Sequence, residues 1–346
     1  MLNRKRLAAL ALGAVALAGF SPAISDTIPQ PVRFAAAPSR LPAGQLAVLT
    51  YNVNGLPFPA AFDRPRALAA IGDSLARMRA NGTAPQVVVL QEAFTPEARA
   101  IAARAGYRYA AFGPESGDAQ PELAGFSPDR SFWKGEAFGP AMSSGLVLLS
   151  DYRLSAVRHT PFPRGACAGY DCLANKGILA ARVDVPGVSA PVQVVATHLN
   201  SGNPSGQPEA VNRVAYARQI DALADFTDRP DYQRTVSIYA GDFNMGHSPA
   251  RLELLMGYIR HKKAKVATAM GRDKYAPLCR ETPDECDGPA AIPANVPLRH
   301  ANDWQFFSAP AGVHLDVVGR EVMFKPGQGK KPLSDHMGLK VVYRFQ

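Results

Sequence analysis

The sequence predicts a layered α/β domain, and three observations predict it. Short apolar runs rich in β-branched residues recur along the chain. Some, such as Val87-Val88-Val89-Leu90, are nearly continuous, as in strands covered on both faces. Segments with helical spacing fall between several of them, and helices packed on sheets are what cover such faces.

In chain order, strands are expected at 46–53, 86–91, 145–150, 178–183, 192–199, 236–240, 304–307 and 339–345. Asp63 is placed to cap a helix with Pro65 in its first turn, on which Leu68, Ile71, Leu75 and Met78 repeat on one face. A second helix is expected over 208–226, with Val211, Val214, Ile220 and Leu223 facing inward. Pro249 opens a third, carrying Leu252, Leu255 and Ile259. The Gly/Pro-rich stretches 113–139, 161–169 and 271–297 read as long surface loops. Phe126, Phe132, Trp133 and Phe138 interrupt the first of these. They are expected to pack beneath it as a satellite cluster, with contact to lipid as the alternative. No repeat and no internal linker divides the chain, so one domain is expected over 46–346.

The 346 residues are 47% hydrophobic and 19% charged, which suits a large core and excludes wholesale disorder. A formal charge of +9 fits nucleic acid or an anionic surface equally well. Part of it belongs to a leader: Arg4-Lys5-Arg6 precede the apolar run Leu7 to Phe20 and the small residues around Ala23. That arrangement is expected to be a signal peptide over 1–23, since the apolar run falls short of the roughly 20 residues a membrane span needs. An irregular, Pro-containing segment over 24–45 would follow, and the product would be periplasmic or extracellular. The four cysteines form two close pairs. In an oxidising compartment local disulfides Cys167–Cys172 and Cys279–Cys286 are expected, one of three possible connectivities. Neither pair is a C-x-x-C, and no His lies at a ligand spacing from them, which disfavours zinc.

The chemistry is written at the strand ends. Tyr51-Asn52-Val53-Asn54-Gly55 ends the first strand and Leu90-Gln91-Glu92 the second. Thr197-His198-Leu199-Asn200 and Gly241-Asp242-Phe243-Asn244 end two more, and Ser334-Asp335-His336 precedes the last. Each alone reads as a turn residue, a solvated acid or a structural histidine. Together, each after a buried-strand pattern, they place metal- and phosphate-binding groups on rigid supports.

In set and order these motifs resemble the endonuclease/exonuclease/phosphatase superfamily, over essentially the whole chain from Leu46 onward. The resemblance implies a four-layered α/β sandwich, two packed mixed β-sheets flanked by helices, with the site at one sheet edge. It implies that Asn52 and Glu92 are metal ligands, joined by Asp335 of the S-D-H motif. Asp242 and Asn244, of the G-D-x-N motif, would orient nucleophile and phosphate. His198 would stabilise the phosphate's developing charge or assist the leaving oxygen. His336 would act with the attacking water, and Asp303 would orient it. Lys176 and Asn200 are the candidates for contact with the substrate phosphate; the alternative for Lys176 is a solvated strand-edge lysine. The chemistry suits those roles, because a hard cation held by oxygen ligands offsets the charge of a phosphodiester and polarises it. Such ligands favour Mg²⁺, with Mn²⁺ or Ca²⁺ possible, over zinc.

Local features are most similar to neutral sphingomyelinases. Asn54-Gly55-Leu56-Pro57 is similar to their W-G-I-P segment, and Ile71-Gly72-Asp73-Ser74-Leu75 ends an Arg-rich helix as theirs does. The stretch from Cys167 to Gly177, ending Asn175-Lys176-Gly177, resembles the bacterial enzymes, and Arg213-Val214 also fits. The P-A-W-x-D-R motif of the 5-phosphatases is absent, and Asn302-Asp303-Trp304 stands where apurinic endonucleases have R-x-D-Y. His198-Leu199-Asn200-Ser201 departs from the bacterial H-L-Q-A, and no paired-Trp hairpin is evident. The expectation is an exported metal-dependent phosphodiesterase of phospholipase C type, acting on a lipid head group at a membrane surface. A secreted nuclease is the alternative, and a binding protein that kept the fold without catalysis is a third reading.

Overall fold

A computed structural model describes residues 41–123, 131–246, 248–267, 302–325 and 331–346. The expected signal peptide, the Cys279–Cys286 pair, Phe126 and the 271–297 loop lie outside these residues. Among the described residues no helix is long and apolar enough to cross a membrane.

Two mixed six-stranded sheets face each other. The first has the order β11 (Leu315–Met323), β12 (Gly338–Phe345), β1 (Gln45–Asn52), β2 (Val87–Gln91), β4 (Val147–Ser150), β3 (Tyr109–Phe112). The second runs β5 (Leu154–Pro161), β6 (Gly177–Val183), β7 (Val192–His198), β8 (Ser237–Asp242), β10 (Asp303–Ser308), β9 (Lys265–Val266). The pairs β1–β2 and β7–β8 are parallel and the other pairs antiparallel.

Three apolar layers hold this together. Between the sheets, Val48, Val87, Val89 and Leu148 meet Leu179, Val194 and Ile238. Outside the first sheet, Leu49, Val88 and Leu90 pack under helix α1 (Arg64–Ala80) through Leu68, Ile71 and Leu75. Outside the second, Val195, Tyr239 and Phe306 pack under α2 (Glu209–Thr227) and α3 (Pro249–His261). Strands buried on both faces explain the nearly continuous apolar runs, and each such Leu or Ile contributes roughly 2 kcal/mol. The four-layered sandwich is thus the observed fold.

All eight expected strands form, and four more join them: β3, β5, β9 and β11. Two helical expectations are corrected. Asp63 stands at the N-cap of α1, but in a left-handed conformation (φ 56°), and its carboxylate makes no capping bond. In α2, Val211 and Val214 are exposed, 45% and 46%. Its buried face instead sets two amides, Asn212 and Gln219, at 0% exposure among the apolar Ala215, Tyr216, Ile220 and Leu223. Those amides serve the loop after β7, described next.

Candidate active site

Strand register brings the motifs together. His198 pairs with Asp242 across β7–β8, and Asp242 with Asp303 across β8–β10, so three site residues form one row. In the other sheet Asn52 pairs with Gln91, with Glu92 one residue beyond. Gly241 allows this closeness: a Cβ there would lie 2.2 Å from the Thr197 carbonyl oxygen. Asn54, Glu92 and Asn244 leave their strands in left-handed conformations, φ 49°, 56° and 47°. Such backbone is costly outside glycine and is concentrated at functional sites.

Contacts across the two sheets complete the site. The Asn52 Nδ2 donates to Glu92 Oε1 and to Asp242 Oδ2, each at 3.0 Å. Its Oδ1 accepts from the Asn54 N–H. The Asn244 N–H donates to Asp242 Oδ1, and the Asn244 Nδ2 to the Leu199 carbonyl. His336 Nδ1 lies 2.6 Å from Asp303 Oδ2, and His336 Nε2 3.9 Å from Asp242 Oδ2. Ser334 Oγ donates to the Asn52 carbonyl at 2.7 Å and pins the S-D-H turn against β1. Asp335 itself is exposed. Burial opposes the His336 imidazolium, but the carboxylates of Asp303, Asp242 and Asp335 outweigh it and raise its pKa. Burial likewise raises the Asp303 carboxyl, against the pull of His336.

His198 has a different neighbour. Lys176 Nζ donates to His198 Nε2 at 3.2 Å and to the Leu199 carbonyl, and pairs with Asp171 at 2.9 Å. Lys176 is only 5% exposed, so it is not a solvated strand-edge lysine. Burial, then the charges of Lys176 and His336, holds the His198 imidazolium well below its ordinary range, so this ring is neutral. Asp171, to which no motif assigns a role, sits in a short helical turn over 169–173 beside the Cys167–Cys172 disulfide.

Asn200 corrects an expectation. Its side chain is fully buried: Oδ1 accepts from the Ala168 N–H, and Nδ2 donates to Ser201 O and Asn212 Oδ1. With both ends of its amide committed, Asn200 holds the loop rather than meeting a phosphate. Arg251, in α3 and 1% exposed, fastens the same region. It donates to the carbonyls of Asn200, Ser201 and Asn244 and pairs with Glu209. Arg64 does likewise for the first sheet, donating to the carbonyls of Asn54, Val53 and Leu333. No motif marked these two arginines, because their partners are backbone atoms.

Two acidic groups bear on a metal. Asp242, Asp303 and His336 offer ligand atoms within 4.8 Å of one another. In that set, however, His336 Nδ1 and Asp303 Oδ2 are already each other's partners, which suits a proton relay better than a metal. Glu92 is the better fit. Its pKa is pushed up to about 7, by burial first, with Asn52 opposing and the Asp335 charge adding. An ionised carboxylate that costs this much, with a second beside it, suits a hard cation. Asn52, as oriented, turns its nitrogen to both Glu92 and Asp242 and so links the two carboxylates, while its oxygen, the atom a cation would take, accepts from the Asn54 N–H.

The chain matches the model of the Endonuclease/Exonuclease/phosphatase family over residues 49–336. It is similar in fold to sphingomyelinase C from Streptomyces griseocarneus, at 22% identity and a TM-score of 0.54, covering 86% of this chain and 99% of that one. A double mutant of beta toxin from Staphylococcus aureus with bound magnesium ions is similar at 17% identity and a TM-score of 0.55, with the same coverage. D. rerio TDP2 complexed with a single strand DNA product is similar at 17% identity and a TM-score of 0.53, covering 87% and 99%. No curated protein sequence matches the chain.

Proposed function

As a member of the endonuclease/exonuclease/phosphatase family, this chain is a phosphoester hydrolase, and we propose that it is an exported Mg²⁺-dependent phosphodiesterase that cleaves sphingomyelin-like lipids to release a phosphorylated head group. The observation that carries the catalytic part is the Asp303–His336 pair at 2.6 Å, in which His336 reaches from the opposite sheet towards Asp303 and Asp242. Glu92 and Asp335 would hold the cation, which when bound offsets the phosphodiester charge and polarises a phosphoryl oxygen. Asp303 fixes the His336 ring through Nδ1; in its neutral form, which a cation offsetting the nearby carboxylates would favour, the ring leaves Nε2 to take the proton of the attacking water. Asp242 and Asn244 orient that water and the phosphate. Lys176, paired with Asp171, holds the neutral ring of His198, which supplies a hydrogen bond on the far side. Mn²⁺ and Ca²⁺ share the preference for oxygen ligands, although Ca²⁺ is larger and takes more of them.

Lipid is favoured over DNA because the basic side chains of the site are engaged internally. Lys176 pairs with Asp171, Arg251 with Glu209, and Arg64 holds three backbone carbonyls. A phosphate backbone is bound by basic groups that replace its counterions, and these are not available for it. The test assays purified protein on sphingomyelin vesicles and on plasmid DNA, with Mg²⁺ and with EDTA, using His336→Ala as control. Phosphocholine release that EDTA and His336→Ala abolish is the expected result. Plasmid nicking without lipid hydrolysis establishes a nuclease instead.

A further inference from the structure

The described rings of the 113–139 stretch do not pack beneath it as a satellite cluster. Phe132, Trp133 and Phe138 are 56%, 81% and 57% exposed and pack on one another, with ring centroids 5.4 and 4.6 Å apart. A second pair, Phe58 and Phe62, stands exposed in the turn after β1, at 5.4 Å. Among the described residues, the exposed Phe and Trp side chains lie on these two turns alone.

Both turns border the site. The Phe58 turn follows Asn52 and Asn54 directly, and Gly55 N–H donates to the Glu92 carbonyl. The Trp133 turn is tied to the opposite wall. Glu136, only 8% exposed, accepts from the N–H groups of Ser131 and Gly169 and from Gln207 Nε2. Lys134 reaches Gln207 as well, at 3.0 Å. Gly135, at φ 82°, lies so close that a Cβ would meet Leu173 at 2.5 Å. The turn that receives these contacts carries Asp171, the partner of Lys176 on His198. The Trp133 turn is therefore tied by these bonds to the turn whose Asp171 holds Lys176 on His198.

We propose that these five rings are the docking surface by which the protein sits on a phospholipid bilayer with zwitterionic head groups, a proposal that rests on the lipid reading above. Phe and Trp side chains beside a lysine suit the head-group boundary, where apolar rings are buried and polar tips stay wet. Stacking on unpaired bases is the competing use of exposed rings, but it works beside a basic track, and the site's basic groups are taken.

Trp133 gives a direct readout, because the chain has two tryptophans and the other, Trp304, is 1% exposed. The full protein is titrated with phosphatidylcholine–sphingomyelin vesicles in EDTA, so that hydrolysis is off, and emission and co-sedimentation are recorded. A blue shift is expected, with binding roughly tenfold weaker in a Phe132→Ala, Phe138→Ala variant that keeps the reporter. A Phe58→Ala, Phe62→Ala variant should weaken binding independently. Both should hydrolyse a soluble diester, bis(p-nitrophenyl) phosphate, at the parent rate. Vesicle hydrolysis without any Trp133 shift, or binding unchanged in both variants, overturns the docking surface and leaves the catalytic reading intact. Quenching by a single-stranded oligonucleotide with no response to vesicles overturns it in favour of bases. A Trp133 shift with no hydrolysis of any diester in Mg²⁺ upholds docking and overturns only the catalytic reading.

Discussion

At the scale of single residues, the Asp303–His336 contact is the most exposed to test. Asp303→Asn keeps the shape but removes the charge that raises the His336 pKa and fixes its tautomer. Turnover should fall by on the order of 10³-fold with little change in melting temperature. Glu92 gives a pH test. Its folded pKa of about 7 lies above the ordinary 4.5. The metal-free fold is therefore favoured by the protonated form, and that contribution is lost as pH rises through about 7. Cation binding must expel the same proton, so apparent Mg²⁺ affinity should climb roughly tenfold per pH unit below about 7 and level off above it. Calorimetric titration across pH checks this, and Glu92→Gln should abolish the slope. The strand-end residues were legible because their types and order are unusual after apolar strands. Asn200 belonged to the same pattern and misled, because a sequence does not say which way an amide turns. The left-handed backbone at Glu92 and Asn244 left no mark in the residue types either.

At the scale of elements, α3 works through Arg251, which clamps the loops after β7 and β8 by their carbonyls. Arg251→Met should cost about 3 kcal/mol, read by denaturant unfolding, since buried acceptors lose a charged donor. Turnover should fall further than stability alone explains, and Arg251→Lys should not rescue it, because a single ammonium cannot span three carbonyls. The strands missed in the sequence share one property. β3 and β11 are the edges of the first sheet, β5 and β9 those of the second. Edge strands are covered on fewer sides, so their apolar pattern is diluted: Arg158 and His159 sit in β5, Arg320 and Glu321 in β11. The eight legible strands lie inside the sheets. In α2 the apolar period was misleading for a related reason, since Asn212 and Gln219 occupy the buried face to support Asn200.

At the scale of the molecule, the two sheets are joined by polar contacts as well as by the apolar layer. Gln305, fully buried in β10, donates to the carbonyls of Val48 and Leu339 in the facing sheet and accepts from the Tyr343 hydroxyl. Gln305→Ala should lower stability by roughly 3 kcal/mol, seen as a drop in melting temperature, through the lost bonds and the cavity together. Activity should suffer in parallel, because Asn52 and His336 on one sheet work with Asp242 and Asp303 on the other. The path of the chain gives that seam a further meaning. It builds β1 to β4 in the first sheet, passes to the second for β5 to β10, and returns to the first only with β11 and β12. β12 fills the place between β1 and β11, and His336 arrives with it. Asp303 lies 33 residues before His336, with β11 between them, so the pair forms only once the returning strand has docked against β1. The pair's assembly therefore reports that both sheets are closed, because the two partners arrive with strands of different sheets.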